Sequence, residues 1–195
     1  TLINDTKKRL KQKKPLISIN FVITNENYKQ LYEHTEALSR LDVDKITISN
    51  TQFVTKDMVC LHKAISPEDN VTESSVFNYD PANIDTQLLY QQLRLIFTRL
   101  STLNIAAVPN IKSLTQLNQY YKQPLEFLKG YDVCYYPWRF AHIFPNGDVA
   151  VSWRCFSRTL GNIKEKAYSR IWNDAPLRNF RSKIIAHKGR YPTCA

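Results

Sequence analysis

Three of the four cysteines in this chain, Cys134, Cys155 and Cys194, stand in its last third, and they are the side chains best suited to chemistry. Cys134 and Cys155 bracket the stretch "CYYPWRFAHIFPNGDVAVSWRC", and Cys194 stands next to the last residue. As thiolates they could hold a metal or a cluster, as a pair they could form a disulfide, and as buried thiols they could be inert. Gaps of 20 and 38 residues fit no short zinc pattern of the CxxC kind. A second pairing of reactive types, Cys60 and His62, falls in a polar stretch. Alone, a Cys-x-His pair is a weak signal for a metal or a nucleophile with its base.

The charge distribution singles out the same region. The net charge is +10, made of +5 over residues 1–14, −2 over 15–129 and +7 over 130–195. Lysine and arginine near thiols favour thiolate, and a basic surface attracts acidic peptides or nucleic acid. With four glycines and neither GxGxxG nor GxxxxGK[ST], the chain has no support for phosphate loops of those types. It has no apolar run long enough to span a bilayer and no secretory signal, and a cytoplasmic location is expected.

The elements that must position the cysteines follow from periodicity. "LISINFVIT" (16–24) and "DKITISN" (44–50) read as strands, and the segment between them as a helix opened by Asn27 and Gln30. Residues 51–84 read as a long loop. Asp85 caps a strong helix over 84–103, "NIAAVPNI" (104–111) is a third strand, and 113–130 is a connecting helix broken near Pro124. Residues 15–112 are therefore a parallel β-α-β-α-β unit of the α/β class. From 131 onward a two-residue Asn146-Gly147 turn would pair Phe144 with Val149 and His142 with Val151, placing His142 on the face of Cys155. Gly161-Asn162 reads as a turn, "AYSRIWN" as a short helix, and Asp174 as the start of a final helix that stops near Gly189. Trp138, Trp153 and Trp172 are expected in the core of this module.

Taken together, "CYYPWRFAHIFPNGDVAVSWRC", "GNI", "IWN", "LRNF" and the closing "YPTC" resemble the SPASM/twitch module of radical S-adenosylmethionine enzymes. "PLISINFVITNEN", "VDKITISN" and "NIAAVPN" look like the fourth, fifth and sixth strands of that family's barrel. The resemblance implies a basic helical remnant over 1–14 and about three β/α units of a partial (β/α)6 barrel over 15–112. A connecting helix over 113–130 and a small α+β hairpin-and-helix module over 131–195 would follow.

It further implies Cys134, Cys155 and Cys194 as ligands of an auxiliary four-iron four-sulfur cluster. S-adenosylmethionine would be contacted from the strand ends by Thr24, Asn25, Ser49, Asn50 and Asn110. A second such cluster would serve the full-length protein, on a CxxxCxxC motif that is absent from these 195 residues and would lie upstream. The expected activity is hydrogen abstraction by a 5′-deoxyadenosyl radical from a peptide or protein substrate, with an electron-donor protein as partner and no membrane. Without that upstream motif the chain would be inactive alone. Two departures stand out: Cys155 lies further from Gly147 than the family's hairpin cysteine does, and the family carries further cysteines past the closing one. The alternatives are a nucleic-acid-binding module and a scaffold that recognises substrate without radical chemistry.

Overall fold

The computed structural model describes residues 2–73, 80–130, 133–151 and 159–194. The chain forms two compact units, Thr1–Gln52 with Val76–Gln123 and Phe53–Ser75 with Pro124–Ala195.

The first unit is a three-stranded parallel sheet with helices, in the order β1 (Ser18–Ile23), β2 (Lys45–Asn50), β3 (Ile105–Val108). The register sets Ile19 beside Ile46, Phe21 beside Ile48 and Ile23 beside Asn50, and Ser49 beside Val108. One face, with Ile23, Ile46 and Ile48, is buried; the other, with Asn20, Val22 and Lys45, is exposed. Its neighbours Thr47 and Ser49 are half-buried, and the Ser49 hydroxyl donates to Asn20 Oδ1 at 2.6 Å.

Helix α1 (Leu2–Arg9) is tied down by Asn4, whose amide donates to the Asp42 carbonyl at 2.6 Å, and by Lys7, which reaches Asp44 at 3.3 Å. Helix α2 (Leu31–Ser39) begins later than the sequence suggests, after a 3₁₀ turn over Tyr28–Gln30. Asn27 does not cap it. Its side chain turns back, accepting from Thr24 N–H at 2.8 Å and donating to the Val22 carbonyl, which secures the end of β1.

The second unit holds α3 (Lys56–Ile65), where a loop was expected. Thr55 caps it by accepting from Met58 N–H, and its buried face is Met58, Val59 and His62. A histidine in the apolar stripe hides the helical period from a hydropathy reading. Helix α4 (Thr86–Arg99), in the first unit, matches expectation, with Asp85 accepting from Gln87 and Leu88 N–H and Leu89, Leu93 and Ile96 buried. The expected helix before residue 130 is two, α5 (Leu114–Lys122) in the first unit and α6 (Pro124–Lys129) in the second.

The cysteine-bearing part of the second unit starts with α7 (Tyr136–Arg139) and a sheet in the order β4 (His142–Ile143), β5 (Asp148–Ala150), β6 (Gly161–Asn162). It closes with α8 (Tyr168–Trp172) and α9 (Ala175–Ala186). Val149, Val151, Leu160, Ile171, Leu177, Phe180, Ile184 and Tyr191 form its core. Two expectations fail here, for Gly161-Asn162 and for Trp138. Gly161-Asn162 is a paired strand rather than a turn. Trp138 lies in a helix and is 36% exposed, while Trp172 packs half-buried against the core; Trp153 lies outside the described residues.

The hairpin register also differs by one residue, with His142 opposite Ala150 and Ile143 opposite Val149. The turn explains the slip. Phe144 and Asp148 close a three-residue loop, Phe144 N–H donating to Asp148 O at 2.9 Å, with Gly147 at φ +93°. That loop exchanges a two-residue turn for a bulge with one left-handed residue. A slip of one flips every side chain, so the argument placing His142 with Cys155 no longer holds. His142 is exposed.

Candidate metal centre

Cys134 and Cys194 lie side by side although 60 residues separate them. Two devices bring them together. The Tyr-Pro-Trp-Arg segment folds into α7 rather than extending into β4, because Pro137 suits a helix's first turn and ends any ladder. Cys134 therefore stands two residues before a helix and not on a straight extension of β4. At the other end α9 stops in a Schellman turn: Gly189 N–H reaches Ile184 O at 2.8 Å and Lys188 N–H reaches Ile185 O at 3.1 Å. Lys188 and Gly189 take φ of +57° and +82°. The turn leaves the Gly189 carbonyl free of the helix, and it accepts Cys134 N–H at 2.7 Å.

A residue without any signal in the sequence pattern steadies this arrangement. Arg181 on α9 donates from Nε to the Pro137 carbonyl at 2.9 Å and from Nη1 to the Trp172 carbonyl at 3.2 Å. Its guanidinium also stacks over the Trp172 ring at 4.8 Å. One planar fork thus joins α7, α8 and α9. Burial lowers its pKa from the ordinary arginine value, with Tyr168 opposing.

The two sulfurs are hydrogen-bonded to each other. The Cys194 thiol donating to Cys134 lowers the Cys134 pKa to about 6; burial opposes this, and the Tyr136 N–H adds to the lowering. The cause is local hydrogen bonding rather than the basic residues of the segment. Cys194 Sγ accepts Tyr191 N–H at 3.3 Å, while its own N–H donates to Tyr191 O at 3.0 Å. Both sulfurs are half-buried thiols, and no disulfide joins them. A thiolate with a second thiol against it and N–H donors on both sulfurs is a soft donor set of the kind that iron–sulfur clusters take. Cys155, the third expected ligand, lies outside the described residues. Among the described residues no group of three metal-ligating side chains assembles.

Residues 134–195 match the family model of SPASM, an iron-sulfur cluster-binding domain. The SPASM match covers the C-terminal third of the chain and both sulfurs of the pair. No curated protein and no solved structure matches the chain. Within the SPASM segment, the Asn-Gly-Asp hairpin and "GNI" meet directly: Asn162 Nδ2 donates to Asp148 Oδ1 at 3.0 Å and to Asn146 O at 3.2 Å. That contact joins the hairpin turn to β6.

The other candidates are distributed differently. Thr24, Asn25, Ser49, Asn50 and Asn110 all stand at or just past the C-terminal ends of β1, β2 and β3. Asn50 is buried, with its carbonyl accepting from the Tyr121 hydroxyl at 2.7 Å and its amide reaching Val108 O, so it serves the fold. The Ser49 hydroxyl is engaged by Asn20. Asn25 differs: its Oδ1 is buried with no hydrogen-bond partner among the described residues. Cys60 and His62 do not form a pair, since Cys60 is exposed and His62 fully buried on another side of α3. No helix among the described residues is long and apolar enough to cross a membrane.

Proposed function

We propose that the second unit holds an auxiliary iron–sulfur cluster, with Cys134 and Cys194 as ligands and Cys155 as the third. The chain would then be the C-terminal portion of a radical S-adenosylmethionine enzyme. The observation that carries this is the hydrogen-bonded pair of sulfurs, one of them a thiolate near neutrality, inside the SPASM segment. A bound cluster would supply one-electron chemistry. The chain's own residues hold the two sulfurs in place, direct backbone N–H groups at both, and keep them partly out of water.

In the same reading the parallel sheet is part of a (β/α)6 barrel. Parallel sheets are normally covered on both faces, and the face with Asn20, Val22 and Lys45 is exposed, as the inner face of a barrel would be until strands added at the sheet edges close it. S-adenosylmethionine would bind at the strand ends, where α/β sheets take their ligands. Asn25 fits a role there, because its buried carbonyl oxygen could accept from a ligand hydroxyl or amine. The reaction would be hydrogen abstraction from a peptide or protein, with an electron-donor protein as partner. The +7 charge of residues 130–195 suits an acidic substrate.

The test is anaerobic reconstitution of the chain with ferrous iron and sulfide. Bound iron and sulfide in equal amounts, with the broad visible absorption of a cluster, is the expected result. C134A and C194A should each abolish most of it. Uptake by these variants equal to that of the parent chain would falsify the assignment.

A further inference from the structure

Inside the second unit runs a buried polar chain that the cluster reading does not use. His62 is fully buried, and Thr193 and Asp69 are 2% and 4% exposed. His62 Nε2 is 3.3 Å from Asp69 Oδ2, and Nδ1 is 2.6 Å from Thr193 Oγ1. Burial lowers the imidazole pKa, with Asp69 opposing, so the ring is neutral. A neutral ring has one donor and one acceptor. Nε2–H therefore donates to the carboxylate, and Nδ1 accepts from the Thr193 hydroxyl. The turn after α3 delivers Asp69: its N–H donates to Ser66 O at 3.1 Å, and its carbonyl accepts Val71 N–H at 2.9 Å.

The same ring stacks on Tyr191, centroids 4.4 Å apart and planes 25° from parallel. Tyr191 and Thr193 belong to the tight loop ending at Cys194, and Tyr191 N–H is the donor to the Cys194 sulfur. His62 thus grips this loop twice, by stacking on Tyr191 and by bonding Thr193, with Asp69 fixing its tautomer. Its helix neighbours Met58 and Val59 pack in an apolar cluster with Val54 and Val71. An apolar residue at 62 would serve that packing, whereas a buried imidazole is tolerated only with both nitrogens bonded.

We propose that His62 is a positioning residue for Cys194, holding the Tyr191–Cys194 loop so that the Cys194 sulfur stays against Cys134. The positioning is a property of the chain itself; its consequence for a cluster rests on the function proposed above. Hydrogen bonds to sulfur set cluster potentials, so a loosened loop that weakens the Tyr191 N–H contact should move the potential downward.

The experiment uses dibromobimane, a short bis-alkylating reagent, on the apo chain, with the Cys134–Cys194 cross-link quantified by peptide mapping. His62→Phe keeps a ring for stacking but removes both nitrogens. Thr193→Val removes the hydroxyl at nearly constant volume, and Thr193→Ser restores it. In H62F and T193V the ratio of cross-linked to singly alkylated product should fall about fivefold, the equilibrium factor of one net hydrogen bond. T193S should behave as the parent chain. Should H62F fail to fold, the T193V and T193S pair decides. After loading with iron and sulfide, T193V should show a lower reduction potential than T193S. An unchanged cross-link ratio in T193V and in folded H62F overturns the proposal, whatever iron the chain binds. A lowered ratio in a chain that takes up no iron supports the positioning and removes the cluster reading.

Discussion

Cys134 is the residue whose chemistry departs most from its type. A cysteine of ordinary pKa is a few per cent thiolate at pH 7, whereas one titrating near 6 is mostly thiolate. Iodoacetamide should therefore alkylate Cys134 in the apo chain with a rate whose pH midpoint is about 6. Removing the principal donor by C194A should raise that midpoint toward the ordinary value of ~8.5. A midpoint unmoved by C194A would mean that something other than the paired thiol stabilises the anion. The cysteines were visible as candidates from type alone. Their adjacency was implied only by the family resemblance; strand and helix periodicity did not carry it, because it depends on a helix over 136–139 and a Schellman turn at 188–189.

Among the elements, the Asn146-Gly147-Asp148 hairpin shows how one backbone angle sets a register. Gly147 sits at φ +93°, and a Cβ there would meet Asn162 Oδ1 at 2.6 Å. Gly147→Ala combines left-handed strain with a collision against the side chain that joins β5 to β6. A loss of about 1–2 kcal/mol in denaturant unfolding is expected from the strain alone. A neutral effect would show that the loop relaxes to another turn. The Asn-Gly signal correctly placed the hairpin, but not its loop length, and with it went the faces of all flanking residues. Helix α3 was missed for a related reason: its core face carries a histidine, legible as buried only once Asp69 and Thr193 are seen around it.

At the scale of the whole molecule, the buried His62 links stability to pH. Its folded-state pKa lies below the unfolded value of 6.5, so the unfolded chain binds more protons in that interval. The contribution is complete above 6.5 and is lost as pH falls toward the folded-state value. The loss is at most about 1.4 kcal/mol per pH unit. Cys134, which titrates at about 6, is common to both chains, so the difference between the parent chain and H62F in denaturant unfolding below pH 6.5 should retain this slope. Equal slopes would mean His62 is solvated in the native state. Hydrogen bonds hold Asp44 and Asp174 below the ordinary carboxylate value of 3.8, and both are common to the parent and H62F, so the comparison cancels them. What the sequence alone determined is what is local: alternation and capping placed β1, β2, β3, α4 and α9, and residue type nominated the cysteines. Tertiary structure decided which distant groups meet, because a sulfur pair 60 residues apart and a histidine bonded 131 residues away depend on turn geometry and burial. Those properties belong to the folded chain and leave no period in the sequence.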